Sequence, residues 1–397
     1  MAAPLIPTLS RRTLLALGAT SALVPGRTLA ADEKPAAFHV GAFPSGPADG
    51  ITDLGGVRIA HLTKISGSGP LHPGTGPVRT GATAILQNRD PWTMRCAAAF
   101  YSLNGNGEMT GTHWIEESGF IEHPILLTAT TNVPRVADGV IDWMIHAHPE
   151  IGVRSDVPLP VVAECNDEAL NDAQGRHVHA DEIPALLAGA ASGQFSRGGV
   201  GAGTGMHGFG FKGGIGSASR RLPSDLGGYT VGALLNLNDG RRTQLLIAGV
   251  RVGQAFAREL LPVFPQRAAL QTHGRVAGGS IIVVVGTDAP LEARVLHAIA
   301  KRATLGLSRT GWTSTVSSGD LFLTFSTTNV VSRDLGKRSV TLEGDEDRID
   351  ALYSATADAV ESAVYDALWN AATMVGRDGI TFYGLPHQRV RELVAGR

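Results

Sequence analysis

Cysteine is nearly absent from this 397-residue chain, which carries two, Cys96 and Cys165. At most one bridge could form, which excludes a disulfide scaffold and a four-cysteine zinc module. An excess of one charge sign is missing too: 34 Lys and Arg stand against 36 Asp and Glu, a formal charge of -2. Without clustered basic residues there is no electrostatic ground for binding nucleic acid or an acidic membrane. Aromatics make up only 6 %, and no apolar run reaches the roughly 20 residues that a membrane span requires. With 18 % charged and 43 % hydrophobic residues the composition is still that of a globular protein. Glycine is in excess, 50 of 397 residues, or about 13 % against about 7 % in average usage. Such residues serve tight turns and close backbone approach around a site.

Residues 1 to 30 contain no acid and read Ser10-Arg11-Arg12-Thr13-Leu14-Leu15, then a weakly apolar run to Val24, then Pro25-Gly26-Arg27-Thr28-Leu29-Ala30. The pattern is that of a twin-arginine export signal with cleavage after Ala30. A membrane anchor fits less well, because Thr13 to Val24 covers 12 residues and includes Gly18, Thr20 and Ser21. Removing Arg11, Arg12 and Arg27 from the 34 basic side chains leaves 31 against 36 acidic ones. A periplasmic or secreted protein without a membrane anchor is expected.

The remainder, 31–397, shows no repeat and no linker. Strands are expected at Thr83–Leu86, Ile125–Thr128, Leu159–Ala163, Tyr229–Leu235, Gln244–Ile247, Ser280–Val285 and Leu321–Phe325. Most are apolar at alternate and intervening positions alike, as strands covered on both faces are. Helices are expected at Asp138–His148, at Ala289–Leu307 behind an Asp288 N-cap, and from Asp345 to Val375. The mixture indicates a layered α/β fold with sheet between helices.

Gly203-Thr204-Gly205-Met206-His207-Gly208 matches the dinucleotide fingerprint G-x-G-x-x-G. Its context does not: Gly210, Gly213, Gly214 and Gly216 forbid the helix whose N-terminus would receive the pyrophosphate. His146 with His148, and His177 with His179 and Asp181, lack third and fourth ligands at a zinc spacing and read as exposed histidines. Cys96 and Cys165 read as buried thiols. No metal and no cofactor is expected.

Gly278-Gly279-Ser280 runs directly into Ile281-Ile282-Val283-Val284-Val285. Were the Gly279–Ser280 bond cut, Ser280 would carry both a nucleophilic hydroxyl and an α-amine able to act as its general base. Taken alone, these residues also make an ordinary turn before a strand. A series of longer motifs adds to them: Asn104-Gly105-Asn106-Gly107-Glu108-Met109-Thr110-Gly111, Trp114-Ile115-Glu116-Glu117-Ser118-Gly119, Gly203-Thr204-Gly205-Met206, Phe211-Lys212-Gly213-Gly214-Ile215-Gly216, and Gly279 to Val285 with Thr287-Asp288-Ala289-Pro290-Leu291. In this order, from about Gly50 to Gly384, the chain resembles the DmpA family of L-aminopeptidase/D-alanyl-esterase-amidases and β-peptidyl aminopeptidases.

The resemblance implies a four-layer αββα sandwich of the N-terminal-nucleophile hydrolase type, made as a precursor that cuts itself. It implies a large chain of 31–279 and a small chain of 280–397, intertwined in one catalytic domain, with Ser280 as nucleophile. By the same likeness Ser318 and Asp320 support the nucleophile, Asn238 donates to the oxyanion, and Glu164 pairs with the free N-terminal ammonium of a short peptide, amide or ester. Asn236 is the alternative oxyanion donor, since Asp239 stands where many relatives carry an aromatic residue. Relatives also place an aromatic soon after the glutamate, where this chain has Cys165, Asn166 and Glu168, so the substrate pocket is expected to be smaller or more polar. Glu108 and Glu117 read as structural carboxylates. A homo-oligomer of processed heterodimers, a tetramer, is implied as well. The competing readings are an acyltransferase of the related ornithine acetyltransferase fold, which uses threonine, and an exported binding protein with an inactive site.

Overall fold

The computed structural model describes residues 34–265, 279–333 and 345–396. The export-signal reading of residues 1–30 lies outside the described residues. Along the chain the strands are β1 (Arg58–Ser66), β2 (Val78–Leu86), β3 (Met94–Gly105), β4 (Phe120–Ile121), β5 (Ile125–Ala129), β6 (Val161–Cys165) and β7 (His207–Gly208). They continue as β8 (Phe211–Lys212), β9 (Gly214–Arg221), β10 (Thr230–Asn238), β11 (Ser280–Thr287), β12 (Gly319–Ser332), β13 (Met374–Val375) and β14 (Thr381–Phe382). The main helices are α1 (Thr112–Ser118), α2 (Val133–Ala147), α3 (Ile183–Ala188), α4 (Ala293–Arg309), α5 (Glu346–Trp369) and α6 (His387–Ala395).

One sheet has the order β1-β2-β5-β6 and the other β4-β3-β12-β11-β10-β9. Strand alternation divides the second sheet's side chains between two cores. Ile281, Val283 and Val285 of β11 pack with α4 and α5, while Ile282 and Val284 face Ile125, Leu127, Val161 and Ala163 of the first sheet. A third core, with Val136, Val140, Ile183 and Leu187, lies under α2 and α3 on the far face of the first sheet. The layers are therefore helix, sheet, sheet, helix, as the family resemblance implied.

Sequence and structure differ at several boundaries. Gln244–Ile247 is no strand: Leu245 and Ile247 are buried in the helix-side core, Leu246 N–H donates to Thr310 O at 2.8 Å, and Ala248 turns the chain at φ 49°. Apolar side chains there found a core without a ladder. The helix expected from Ala289 begins at Ala293 behind Glu292. Asp288 instead accepts from Thr230 N at 2.6 Å, while Ser326 and Asn329 bind the carbonyls of Ala289 and Leu291 and hold that stretch against β12. Asp345 does cap α5, accepting from Asp347 N at 3.1 Å, but the helix stops at Trp369, and Met374–Val375 pairs with Thr381–Phe382. β6 starts two residues after Leu159, and α2 starts at Val133 with a proline in its first turn.

The false dinucleotide motif is a wedge between the sheets. The turn Gly201–Gly203 receives side-chain hydroxyls from the first sheet, with Thr63 Oγ1 2.8 Å from Gly201 N and Thr83 Oγ1 3.0 Å from Ala202 N. Buried Lys212 donates to the carbonyls of Gly203 at 3.0 Å and Gly213 at 2.8 Å. Where β9 meets α5 there is no room for a side chain: a β-carbon on Gly216 would lie 2.0 Å from Ala363 O and 2.8 Å from Ala367 Cβ. Gly216→Ala is therefore expected to prise β9 from α5 and cost about 1–3 kcal/mol in urea unfolding. A midpoint equal to that of the parent would contradict this.

Candidate active site

Ser280 is the first residue of β11, in the middle of the six-stranded sheet, and its partner across the antiparallel ladder is Asn238, the last residue of β10. Both have the parity that faces the other sheet. Asn238 Nδ2 lies 3.4 Å from Ser280 Oγ, and the amide is fixed by its other contacts: Nδ2 donates to Asn166 O at 2.9 Å, and Oδ1 accepts from His207 N at 3.0 Å. Asn236, the alternative, points its amide at Ala202 O, 3.5 Å away. The geometry brings Asn238 to the serine and leaves Asn236 in the interior.

Glu164, on β6 of the facing sheet, is 4 % exposed and lines the same cleft as Ser280. One oxygen accepts from Glu108 N at 3.1 Å and the other from Thr130 Oγ1. Burial raises its pKa above the ordinary carboxylate value, the Thr130 and Glu108 hydrogen bonds oppose that, and the charge of Glu108 adds to it. A buried carboxylate with one side open to a cleft is a receptor for a cation. The cleft encloses about 440 Å³ and its lining is polar, with Asn106, Glu108, Asn166 and Ser317 around Ser280 and Glu164. No aromatic side chain lines it among the described residues, in keeping with the departure seen after Glu164.

Ser318 precedes and Asp320 is the second residue of β12, the parallel neighbour of β11, with Ser280 opposite Gly319. They do not hydrogen-bond to Ser280 Oγ. Ser318 Oγ donates to Asp320, which also accepts from Ser314, and it lies 3.2 Å from Asp239 Oδ2. Burial is the main cause of Asp320 being pushed up to about 6; the Ser314 and Ser318 hydrogen bonds oppose it and the nearby Asp239 charge adds to it. The sequence drew attention to Asp239 only as a departure from the family pattern. Thr130 and Trp312 carried no signal because their partners, Glu164 and Asp239, lie far away in sequence, and Ser314, six residues before Asp320, sits in no motif that pointed to it.

Both cysteines are buried and free, and burial pushes their thiols up, so neither is activated. His148 contacts Asp90 and Glu150, and His177 contacts Asp172 at 2.9 Å. Among the described residues no group of three or more His, Cys, Asp or Glu could hold a metal ion.

Two facing sheets between helices, and a serine opening a central strand beside an amide donor and a buried carboxylate, define a serine-type aminopeptidase on a variant of the N-terminal-nucleophile hydrolase fold. The Peptidase family S58 pattern matches residues 49–382, and the chain belongs to that family. It is 38 % identical over 383 residues to Beta-peptidyl aminopeptidase BapA of Sphingosinicella microcystinivorans, covering 94 % of this chain and 96 % of that one. Among solved structures it is similar to the L-aminopeptidase D-Ala-esterase/amidase of Ochrobactrum anthropi, described as a prototype for the serine aminopeptidases, at 34 % identity and a TM-score of 0.80, over 91 % of this chain and 97 % of that one. The PH0078 protein of Pyrococcus horikoshii OT3 matches at 40 % identity and a TM-score of 0.81, over 90 % and 97 %.

Behind the cleft, burial pushes Asp167 up to about 7, against hydrogen bonds from Thr80 and Asn171 that favour its carboxylate. With a folded pKa above the unfolded value of 3.8, the native state binds the extra proton between these values, so this group's contribution to stability falls as pH rises through the window. In Asp167→Asn that contribution is gone: relative to wild type, the variant should gain stability from pH 4 to pH 8. Parallel urea-stability curves for the two proteins would refute it.

Proposed function

We propose that Ser280 is both the site of self-cleavage and the nucleophile of the mature enzyme. The observation that carries this is the pairing of Ser280 with Asn238 at the wall of a cleft whose far wall holds Glu164. In the first reaction Ser280 Oγ attacks the carbonyl carbon of Gly279 and the acyl group passes from nitrogen to oxygen. Water then hydrolyses the resulting ester, leaving a carboxylate on Gly279 and a free amine on Ser280.

In the second reaction that amine takes the Oγ proton as Oγ attacks the carbonyl carbon of the substrate's first residue. Asn238 Nδ2 donates to the oxyanion, a contribution typically worth about 3–4 kcal/mol. The amine returns its proton to the leaving nitrogen, and water releases the acyl group from Ser280. Glu164 receives the substrate's N-terminal ammonium. An internal peptide offers no cation there and would leave the carboxylate buried and unpaired, which limits the enzyme to the first residue of a short peptide, amide or ester. Because the relatives are named β-peptidyl aminopeptidases, β-peptides with small or polar first residues are the substrates to try first. Ser318, just before β12, and Asp320, on it, support the amine. Export through the twin-arginine segment would put the enzyme in the periplasm or outside the cell, as an oligomer of processed heterodimers.

Ser280→Ala is expected to give one uncut species by intact mass and no turnover, against two species ending at Gly279 and beginning at Ser280 in the wild type. A cut or active Ser280→Ala would remove the assignment. Glu164→Gln should still cut itself but lose roughly 10- to 100-fold in kcat/KM on peptides with a free amine. The step of the acidic limb of kcat/KM that belongs to Glu164, ionising above the usual carboxylate range, should be absent from Glu164→Gln, which leaves the step of the Ser280 amine. Efficient release from an N-acetylated peptide would argue against an ammonium receptor.

A further inference from the structure

On the helix-facing side of the sheet, directly behind the bond to be cut, two carboxylates lie together without a cation. Asp239 is 5 % exposed and Asp320 fully buried. Asp239 accepts from Trp312 Nε1 at 2.8 Å and Gly240 N at 2.6 Å, with Ser318 Oγ 3.2 Å away. Asp320 accepts from Ser314 and Ser318. Every one of these donors is neutral, and Ser318 has a single proton for two acids. Neither acid forms an ion pair among the described residues. Two like charges buried side by side are costly unless a proton or a cation joins them.

The position of Asp239 identifies that cation. Asp239 follows Asn238 and Gly279 precedes Ser280, so both lie one residue beyond the last pair of the ladder, and Gly279 has the parity of Ile281 and Val283 on the helix-facing side. A β-carbon on Gly279 would lie 2.0 Å from Asp239 Oδ1. The carboxylate thus occupies the side-chain space of the residue whose bond is broken, one residue from the nitrogen that becomes an ammonium. We propose that Asp239 is a positioning residue which, together with Asp320, holds the α-amine freed on Ser280. It rests on the reading of Ser280 given above, and it assigns Asp239 a task where the family resemblance would place an aromatic side chain.

The ionisable groups around that amine are Asp239 after β10, Asp320 on β12, and Glu164 and Cys165 on β6, with Glu108 at the cleft wall. Of these, Asp239 and Asp320 lie on the helix-facing side. A carboxylate at this position favours the charged amine. The acidic limb of kcat/KM reports deprotonation of the free enzyme's base, so removing one of the two charges moves that limb to lower pH.

The test compares pH profiles of kcat/KM for wild type and Asp239→Asn, which keeps an acceptor for Trp312 and removes the charge. Intact mass establishes the extent of the cut in each. The acidic limb is expected to move down by about one pH unit, with the same displacement in the pH dependence of acylating the Ser280 amine. A lower rate with an unmoved limb would make Asp239 merely structural and overturn the proposal. Should Asp239→Asn remain uncut, the comparison passes to Trp312→Phe, which strips a donor from Asp239 and leaves its charge. The limb should then move up, and an unmoved limb again overturns the proposal. Ser280→Ala is run alongside: cutting or turnover in it would overturn the nucleophile and the role of Asp239 together, whereas an inert Ser280→Ala beside an unmoved limb overturns Asp239 alone.

Discussion

The register that pairs Ser280 with Asn238 is the constraint on which the rest depends. Strand side chains alternate, so a slip of one residue between β10 and β11 would turn Ser280 toward the helices and bring Ile281 into the cleft. The slip is prevented by burial on both faces: Ile281, Val283 and Val285 belong to one core, Ile282 and Val284 to another. Neither set has polar surface to offer in exchange. The aliphatic run after Ser280 is thus the device that aims its hydroxyl.

On this frame the protein buries acids that it does not neutralise. Glu164 faces the space between the sheets, while Asp239 and Asp320 face the helices, and their hydrogen-bond donors are hydroxyls, an indole and backbone amides. Such groups weaken the fold at neutral pH relative to apolar replacements of the same shape. Their retention on both sides of one serine makes sense if each awaits a positive charge, one from the substrate and one from the chain. Cations arriving from opposite faces of a single strand are kept apart by the strand itself.

The layered fold could be read from the sequence where length and apolarity combined, as at β2, β5, β10, β11 and α5. It was obscured where tertiary contacts overrode local pattern. Leu245 and Ile247 resemble a strand because they are buried, yet among the described residues no neighbouring strand reaches them. The glycines from 198 to 216 have no helical or strand period because they serve close approach, Gly201 and Gly205 to the first sheet and Gly216 to α5. Ser280 drew attention from its place before a strand, and Asn238, Glu164, Ser318 and Asp320 through the likeness of whole motifs; of these the structure puts Asn238 beside Ser280 and lines one cleft with Ser280 and Glu164. Asp239 could not be assigned a task from sequence, since its meaning comes from its close approach to Gly279, 40 residues away.

The order of the large sheet has a further consequence. Strands β11 and β12, which follow the Gly279–Ser280 bond, lie between β3 and β10, which precede it. If that bond is severed as proposed, the two pieces share an uninterrupted ladder and cannot part without opening the sheet at its centre on both sides. Such a cut would convert a folding problem solved by one chain into an assembly of two, to be regained after unfolding by a bimolecular encounter. A protein so divided would come apart slowly, and its return would depend on the concentration of the two pieces.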